Sequence, residues 1–295
     1  MAAEAVVAKR SVGRKLAGLF QGRPRLQVGA LLAGPVGWLV IGYLGSLAVL
    51  LVSAFWSVDA LSGEVIQGFG LENFETLLDE PVYRDIVGRT VLIAALVTVT
   101  DAVLAFPIAF YMAKLASRRG KAILVVAVLL PLWSSYLVKV LAWRTMLSND
   151  GIINWVLEPF GLHGPGYGNV AVWLVMSYLW LPYMILPIYA GLERIPNSLI
   201  SASEDLGAGP FTTFRRVILP LAFPAVVAGS IFTFALTLGD YITPRLVSNN
   251  QFIGNVIFNN ITNNLPLASA LALVPIVVMI AYLMVARKLG AFEHI

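Results

Sequence analysis

The chain has 295 residues, of which 59% are hydrophobic and only 12% are charged, and its mean hydropathy is +0.83. A soluble domain carries roughly 25% charged residues, so this composition excludes a disordered chain and argues strongly against a soluble enzyme. Because the chain has no cysteine, a disulfide framework is excluded as well. The net charge of +4 comes from basic clusters between apolar stretches, which indicates membrane topology and not a nucleic-acid partner.

Six apolar stretches follow one another along the chain, each close to the ~20 residues that a membrane-spanning helix needs. The first stretch is far longer than the apolar part of a signal peptide, about 7–15 residues, so we expect a retained helix. We therefore predict an all-α integral membrane protein with six transmembrane helices. They lie at residues 28–56, 90–113, 122–143, 170–190, 222–247 and 267–286.

The remaining segments are polar or basic. We expect residues 1–27 to form a basic tail near anionic lipid and residues 287–295 to form a second tail. An extracytoplasmic loop with a short amphipathic piece is predicted at 57–85, and a polar, asparagine-rich loop at 248–266. Residues 86–286 then form one transmembrane domain of five helices.

The distribution of basic residues predicts the orientation in the membrane. Fifteen of the twenty Lys and Arg residues lie in the segments on the same side as the N-terminus. Because short cytoplasmic segments carry an excess of Lys and Arg, both termini are predicted to be cytoplasmic.

Residues 191–222, between the fourth and fifth predicted helices, form a cytoplasmic loop with several helix signals. Pro196 suits the start of a short helix, and Asn197 or Ser198 can cap it. Gly207 suits the end of that helix, because glycine adopts the left-handed conformation without steric cost.

Pro210 opens a second short helix, with arginines on one face and apolar residues on the other. The first helix presents a small, weakly apolar face, which suits docking into the groove of a partner protein better than contact with lipid headgroups. These faces comprise Leu199, Ala202, Ser203 and Leu206 on the first helix, and Phe211, Phe214 and Ile218 on the second.

The same segment resembles the cytoplasmic signature loop of binding-protein-dependent ABC importer permeases. The family pattern is Glu-Ala-Ala, three residues, Gly, nine residues, Ile, one residue and Leu-Pro, and the spacing matches throughout. The departures are Ser201 for Glu, Ser203 for Ala and Val217 for Ile, and Glu204 or Asp205 is expected to supply the missing charge. The resemblance implies an ATPase-coupling loop at 196–220 that acts through Ser201, Ala202, Ser203, Glu204, Asp205, Gly207, Phe211, Phe214, Val217, Leu219 and Pro220.

The resemblance covers residues 28–290 and is nearest to the spermidine/putrescine-type permeases. It implies import of a polyamine. The same class of permease for another solute, such as an anion, iron, thiamine or an amino-acid-like compound, is the alternative. The stretches that carry the likeness are Leu130–Ser135 leading to Ala142 and Trp143, Asn149–Asn154, and Gly239–Leu246.

The resemblance also implies the type I importer bundle and its partners in the bacterial cytoplasmic membrane. Two ATPase subunits would dock at the loop, a second homologous permease chain would complete the pathway, and an extracytoplasmic binding protein would deliver the solute. The sequence lacks the Gly-x-x-x-x-Gly-Lys-Ser/Thr pattern that cradles nucleotide phosphates. ATP and Mg are therefore expected on the ATPase subunits, with no cofactor, metal or catalytic residue on this multi-pass, lipid-embedded chain.

Three charged residues fall within the predicted spans, where a charge costs at least ~2.5 kcal/mol, so a functional site is the first hypothesis. A polyamine needs carboxylates for its ammonium groups and aromatic faces for cation–π contacts. The candidate substrate pathway comprises Asp240, Tyr241, Asp101, Trp133, Tyr136, Trp143 and Lys139.

Structural roles for the same charges are also open. Asp240 can pair with Arg245 or Lys139, and Asp101 can pair with a buried donor on a neighbouring helix. Without such pairs, Lys139 and Arg245 would repel a polycation and favour an anion.

Two other classes of protein are weaker alternatives. A secondary transporter would need internal symmetry or broken helices around a midplane ion site, and the two halves of the sequence show no repeat. A membrane aspartyl protease uses Gly-x-Gly-Asp, whereas residues 237–240 read Thr-Leu-Gly-Asp and lack the first glycine. We therefore predict a permease and not an enzyme.

Overall fold

A computed structural model describes residues 24–59 and 62–288 of the chain. Residues 1–23 of the predicted N-terminal tail and 289–295 of the predicted C-terminal tail lie outside the described residues. Two compact units divide the chain, one that ends at Ser53 and one that begins at Ala54. Helices make up most of the described part, in agreement with the all-α prediction.

The N-terminal unit is a helical segment with one irregular turn. Helix α1 (Pro24–Trp38) and helix α2 (Gly45–Ser53) are joined by a π-helical turn, Leu39–Leu44. Residues Leu31–Ser53 are long and apolar enough to cross a membrane, and they correspond to the first predicted span.

The second unit begins with a small hairpin and a short helix, which occupy most of the predicted loop at 57–85. Strands β1 (Ser57–Val58) and β2 (Val65–Ile66) pair antiparallel, with Ser57 opposite Ile66 and Val58 opposite Val65. Helix α3 (Glu72–Asp79) follows. The second span then begins at Pro81, which is earlier than the predicted domain start at 86.

The other five spans lie in the second unit, and short helices connect them. Within the described residues, five helical segments are long and apolar enough to cross a membrane, one in the N-terminal unit and four in the second unit. A bent pair of helices in the second unit gives the sixth span. In chain order the elements are α4 (Pro81–Phe110) with the π-helical turn Tyr111–Leu115, α5 (Arg118–Trp133), α6 (Tyr136–Leu147), α7 (Ile152–Leu157) with the 3-10 turn Glu158–Phe160, α8 (Asn169–Arg194), α9 (Asn197–Asp205), α10 (Pro210–Thr213) with the π-helical turn Phe214–Ile218, α11 (Leu219–Gly239), α12 (Ile242–Val247), α13 (Ile253–Asn260) and α14 (Leu265–Lys288).

The third span is bent, so the single helix predicted over 122–143 is wrong. Helices α5 and α6 meet at 89°. At the bend, the carbonyl oxygen of Pro131 accepts hydrogen bonds from the Ser134 hydroxyl (2.8 Å) and from the Lys139 ammonium group (2.9 Å). These two donors replace the backbone amide that a continuous helix would offer, which satisfies the open carbonyl within a membrane segment.

The fifth span both starts and ends earlier than the predicted bounds of 222–247. The helix is continuous over Pro210–Gly239, so the second short helix predicted in the loop is the first part of this span. At its far end, the carboxylate of Asp240 accepts the backbone N–H groups of Ile242 (2.9 Å) and Thr243 (3.2 Å). These bonds start α12 as a separate helix, because a side chain that satisfies the first amides favours a new helix start.

The asparagines that predicted a polar loop at 248–266 include one that caps a helix. The buried Asn255 side chain accepts a hydrogen bond from the backbone N–H of Phe252 (3.2 Å) and donates one to the carbonyl oxygen of Tyr241 (2.7 Å). Helix α13 therefore forms inside the segment, and the prediction of a loop throughout is wrong.

The second, fourth and fifth spans pack against one another at the centre of the second unit. Because lipid tails are as apolar as leucine, close packing rather than removal from water stabilises such contacts. One cluster of buried side chains lies at the end of the spans that is joined by the loop of residues 195–210, and we call it the loop-side cluster. It includes Ala105, Ala109, Met112, Met184, Ile188, Leu192, Ile218 and Ala222. A second cluster lies towards the opposite end of the spans, and we call it the far-side cluster. It includes Ile93, Val97, Val140, Val172, Val175, Met176 and Phe252.

Two glycines allow the fourth and fifth spans to approach closely. A Cβ atom added at Gly191 would collide with the side chain of Ala225, and one added at Gly229 would lie 2.8 Å from the sulfur of Met184. Small residues at such crossings bring two backbones together and increase the van der Waals contact between them.

We predict that Gly191→Ala lowers the thermal unfolding temperature of the purified protein in nanodiscs. The new methyl group overlaps Ala225, and overpacking costs about 1–3 kcal/mol, which outweighs the ~1 kcal/mol gain in helix propensity. Gly88→Ala is the matched control, because Gly88 lies in α4 and a Cβ there meets no atom within 4 Å. Equal unfolding temperatures for the two variants would contradict the close contact.

Candidate functional site

The loop that joins the fourth and fifth spans contains α9 and a left-handed turn. Gly207 has a φ of +79°, which favours glycine. The backbone N–H groups of Gly207 and Ala208 donate to the carbonyl oxygens of Glu204 (2.8 Å) and Ser203 (3.0 Å). These bonds satisfy carbonyl groups at the end of α9, so the helix end predicted at Gly207 is present.

The side-chain cap predicted at the start of α9 is absent. Pro196 occupies the capping position and accepts no amide hydrogen bond through its side chain. Asn197 is already helical, and its side-chain oxygen accepts a hydrogen bond from the ammonium group of Lys114 (3.2 Å) instead. Ser198 lies exposed in the first turn.

Most residues of the predicted coupling loop are exposed. The side chains of Leu206 and Phe211 are 89% and 73% exposed, respectively. Large apolar side chains so exposed suit contact with another protein. We call this the coupling surface; its exposed residues are Ser201, Ala202, Glu204, Asp205, Leu206, Gly207, Phe211 and Pro220.

The remaining loop residues turn towards the protein. The hydroxyl groups of Ser203 and Thr213 lie 3.0 Å apart and share a hydrogen bond, which closes the loop on itself. The ring of Phe214 packs edge-on against Phe106 of α4, with ring centroids 5.5 Å apart. Val217, in the π-helical turn that follows, is partly buried, as is Leu219 at the start of α11.

The common face predicted for Phe211, Phe214 and Ile218 is wrong. Phe211 is exposed, whereas Phe214 is partly buried and Ile218 belongs to the loop-side cluster. The π-helical turn over Phe214–Ile218 changes the residue spacing per turn, so the i, i+3, i+7 pattern of a regular helix does not apply.

A second group of polar side chains lies where the third and fifth spans break. The carboxylate oxygen Oδ2 of Asp240 accepts hydrogen bonds from the hydroxyl groups of Tyr136 (2.5 Å) and Thr243 (2.6 Å). The other oxygen accepts two backbone amides of α12, as described above. Four donors therefore surround the partly buried carboxylate. We call Asp240, Tyr136 and Thr243 the Asp240 cluster.

Aromatic rings lie beside this cluster. The rings of Tyr136 and Trp180 stack with centroids 5.9 Å apart and an interplanar angle of 15°. Trp180 also packs edge-on against Tyr183, with centroids 5.9 Å apart. An aromatic pair therefore lies beside the carboxylate of Asp240, because Tyr136 contacts both Asp240 and Trp180.

Neither Lys139 nor Arg245, the two partners predicted for Asp240, forms an ion pair with it in the structure. The ammonium group of Lys139 donates to the carbonyl oxygen of Pro131. The guanidinium group of Arg245 lies 5.2 Å from the centroid of the Phe258 ring, a cation–π contact. The predicted ion pairs of Asp240 are therefore wrong, and hydroxyl and amide donors stabilise its charge instead.

Asp101 lies apart from the Asp240 cluster, in α4 between the two apolar clusters. Its side chain has no exposed surface, and neither carboxyl oxygen has a hydrogen-bond partner among the described residues. The buried Ser177 hydroxyl and Trp180 indole N–H of α8 are unpartnered in the same way. Ser177 is a buried donor of the kind predicted, and it interacts with the Asp101 carboxyl group without a hydrogen bond of normal geometry. Asp101 makes no hydrogen bond to Asp240.

The structure brings together only part of the predicted substrate pathway. Tyr136 and Asp240 are in contact, whereas Trp133 is 82% exposed at the end of α5. Trp143 packs against Tyr178, and Tyr241 stacks on Phe258. Sequence reasoning missed Thr243 and Trp180. The spacing Asp240-x-x-Thr243 is a local capping signal that could have indicated the former.

An apolar bundle with a cytoplasmic-type signature loop defines a membrane-embedded component of a transport system. The chain belongs to the family of binding-protein-dependent transport system inner membrane components, whose model matches residues 88–290. It is a permease subunit of an ABC importer and a multi-pass protein of the cytoplasmic membrane. The family is the membrane-spanning part of such systems and not a catalytic subunit.

Relatives at the sequence level include two kinds of permease. The inner membrane ABC transporter permease protein YdcU of Escherichia coli (strain K12) is 44% identical over 297 residues, 95% of each chain. The spermidine/putrescine transport system permease protein PotB of Haemophilus influenzae is 31% identical over 211 residues, 69% of this chain and 73% of the relative.

Solved structures with the same fold include two ABC importers. A bacterial ABC transporter that imports the acidic polysaccharide alginate matches with a TM-score of 0.69 at 17% identity, over 90% of this chain and 96% of that one. The inward-facing MetNI methionine ABC transporter matches with a TM-score of 0.54 at 17% identity, over 70% of this chain and 94% of that one. At this identity the likeness establishes the fold.

We predict that Tyr136→Phe lowers the free energy of unfolding by about 1–3 kcal/mol, because it removes a hydrogen bond to a partly buried carboxylate. Tyr178→Phe is the control, since the hydroxyl group of Tyr178 makes no hydrogen bond within the described residues and its ring packs on Trp143. Thermal unfolding of both variants in nanodiscs provides the measurement. A Tyr136→Phe protein as stable as Tyr178→Phe would show that the bond contributes nothing.

Proposed function

We propose that this permease couples import of a polyamine to ATP hydrolysis on separate ATPase subunits, two copies of which serve the assembled importer. The main support is the coupling surface, where Leu206 and Phe211 are exposed beside the left-handed turn at Gly207. Leu206 follows the end of the short helix α9 and Phe211 lies at the start of the fifth span, and exposed apolar side chains on helical segments favour docking into a groove of a partner protein. ATP and Mg bind to the ATPase subunits, and this chain supplies neither a cofactor nor a catalytic residue.

The importer contains a second homologous permease and an extracytoplasmic binding protein in this proposal, and both termini of the chain are cytoplasmic. The family name, which refers to a binding protein, supports the second partner. A related alginate importer is known in complex with a periplasmic protein that carries an alginate pentasaccharide. The excess of basic residues on the N-terminal side supports the orientation.

Polyamine specificity is supported by the PotB relatives and by the Asp240 cluster. The carboxylate of Asp240 has no Lys or Arg ion-pair partner among the described residues, so its negative charge is not neutralised. An ammonium group attracted to it would also meet the faces of Tyr136 and Trp180. We assign substrate contact to Asp240 and Tyr136, with Asp101, Trp133 and Trp143 outside this site.

An anionic solute is the second candidate, and Lys139 and Arg245 are its basis. Each of these cations is held by another group, Lys139 by a carbonyl oxygen and Arg245 by the Phe258 ring. These contacts do not pair either cation with a carboxylate, so an anion would still be attracted. The PotB relatives and the unpaired carboxylate weigh towards the polyamine.

The mechanism follows from the packing of the spans on either side of the loop. When the ATPase subunits close, they displace the coupling surface. The fourth and fifth spans, which meet through Gly191 and Gly229, tilt together as a rigid body and carry the Asp240 cluster between an outward-facing and an inward-facing arrangement.

We predict that Gly207→Trp reduces solute uptake at least about tenfold and leaves membrane insertion unchanged. A tryptophan at φ +79° is strained by about 1–3 kcal/mol, and the turn it distorts shapes the coupling surface. Uptake by proteoliposomes and the yield of inserted protein are the measurements. Gly68→Trp, at a glycine in the hairpin segment with open space around it, is the control. Normal uptake by Gly207→Trp with normal ATPase binding would contradict the coupling role.

We expect spermidine or putrescine to stimulate ATP hydrolysis when the chain is reconstituted with its genetically neighbouring ATPase, second permease and binding protein. Asp240→Asn should raise the polyamine concentration for half-maximal stimulation about tenfold, as the loss of one charge-assisted contact predicts. Asp85→Asn, an exposed aspartate at the start of α4, is the control for surface charge.

Three results would overturn parts of this proposal. Stimulation by an anion and not by a polyamine would retain the permease and exclude the polyamine. Stimulation unchanged by Asp240→Asn would show that Asp240 is purely structural. If no ATPase subunit associates with the chain, the coupling function itself is wrong and a secondary transporter becomes the better description.

A further inference from the structure

One lysine at the end of the second span forms hydrogen bonds with the start of the coupling loop. Lys114 lies in the π-helical turn Tyr111–Leu115 that ends this span. Its ammonium group donates to the carbonyl oxygen of Ile195 (2.5 Å) and to the side-chain oxygen of Asn197 (3.2 Å). Ile195 closes α8, and Asn197 is the first residue of α9. Three elements therefore meet at one cation.

The position of this cation fits the electrostatics of a helix end. The last carbonyl groups of a helix have no intrahelical partner, and the end of the helix carries a partial negative charge. An ammonium group donates a hydrogen bond to such a carbonyl group, and its positive charge is attracted to the negative end of the helix. A charged hydrogen bond is also stronger than a neutral one. Because Lys114 is partly buried, water competes weakly for the contact with Ile195.

The same span also contacts the other end of the loop. Phe106, two turns before Lys114 on α4, packs edge-on against Phe214. Between these two contacts, Ser203 and Thr213 close the loop, and Ile200 of α9 packs against the loop-side cluster. Helix α9 is therefore held to the second span at its start and, through the closed loop, at its end.

We propose that Lys114 is a positioning residue that makes the second span move together with the coupling loop. The inference rests on the proposed function, in which the coupling surface docks an ATPase subunit. Lys114 touches neither solute nor nucleotide. It holds α9 at a fixed angle, so a displacement of the coupling surface reaches the second span directly and not only through the fourth and fifth spans.

A simpler explanation is that Lys114 only belongs to the basic residues that orient the chain in the membrane. Lys121 separates the two explanations, because it lies on the same side and carries the same charge. Its ammonium group pairs with the carboxylate of Glu193 at 3.2 Å, with side chains 29% and 48% exposed, and it does not contact α9. Lys121→Met is therefore the matched control for Lys114→Met.

The first experiment measures hydrogen exchange on the full chain alone in nanodiscs. Lys114→Met should accelerate exchange of the backbone amides of residues 199–205 about tenfold, as expected for loss of a charged hydrogen bond. Lys121→Met should leave them unchanged, and Lys114→Arg should restore most of the protection. Asn197→Ala removes the longer of the two hydrogen bonds of Lys114 and should give a smaller acceleration. This variant replaces Lys114→Met in the test if Lys114→Met does not fold. Equal exchange in both methionine variants would overturn the proposal.

The second experiment measures solute transported per ATP hydrolysed in the reconstituted importer. Lys114→Met should lower this ratio about tenfold while ATP hydrolysis continues, and Lys121→Met should not. Accelerated exchange with an unchanged ratio would show that the contact is structural and would overturn the coupling role. If the wild-type chain binds no ATPase, the proposed function fails, and the exchange result still decides whether Lys114 holds α9.

Discussion

Backbone polar groups within a membrane find no water, so an interruption of a spanning helix requires side chains that replace the lost partners. At the bend of the third span, Ser134 and Lys139 both donate to the carbonyl oxygen of Pro131. At the end of the fifth span, Asp240 accepts the first amides of α12, and the hydroxyl group of Tyr136 joins the two interruptions. Two of the three intramembrane charges, Lys139 and Asp240, are thus groups that allow an irregular backbone at this position.

The two candidate functional regions lie at opposite ends of the same helices. The coupling surface follows the end of the fourth span, and the Asp240 cluster follows the end of the fifth. The loop-side and far-side clusters occupy the length between them, with the buried Asp101 in between. The proposed coupling between the two regions therefore requires the movement of whole helices.

Sequence patterns predicted the spans and the turn at Gly207 because long apolar stretches and a left-handed glycine are properties of short segments. The bend of the third span was missed, since it depends on the Lys139 side chain reaching back to Pro131. The partner of Asp240 was also wrong, because Tyr136 lies 104 residues away along the chain and only the folded bundle brings the two together. Lys114 had no local signal at all, as its contacts join three separate helical elements.

The glycines at the crossing of the fourth and fifth spans also bear on biogenesis. Two helices joined by a short loop insert as a hairpin, and in lipid their association depends on van der Waals contact and not on escape from water. Gly191 and Gly229 provide that contact between neighbouring elements, before any distant helix is needed. The fourth and fifth spans can thus associate as a pair, whereas the loop between them also depends on its contacts with the second span.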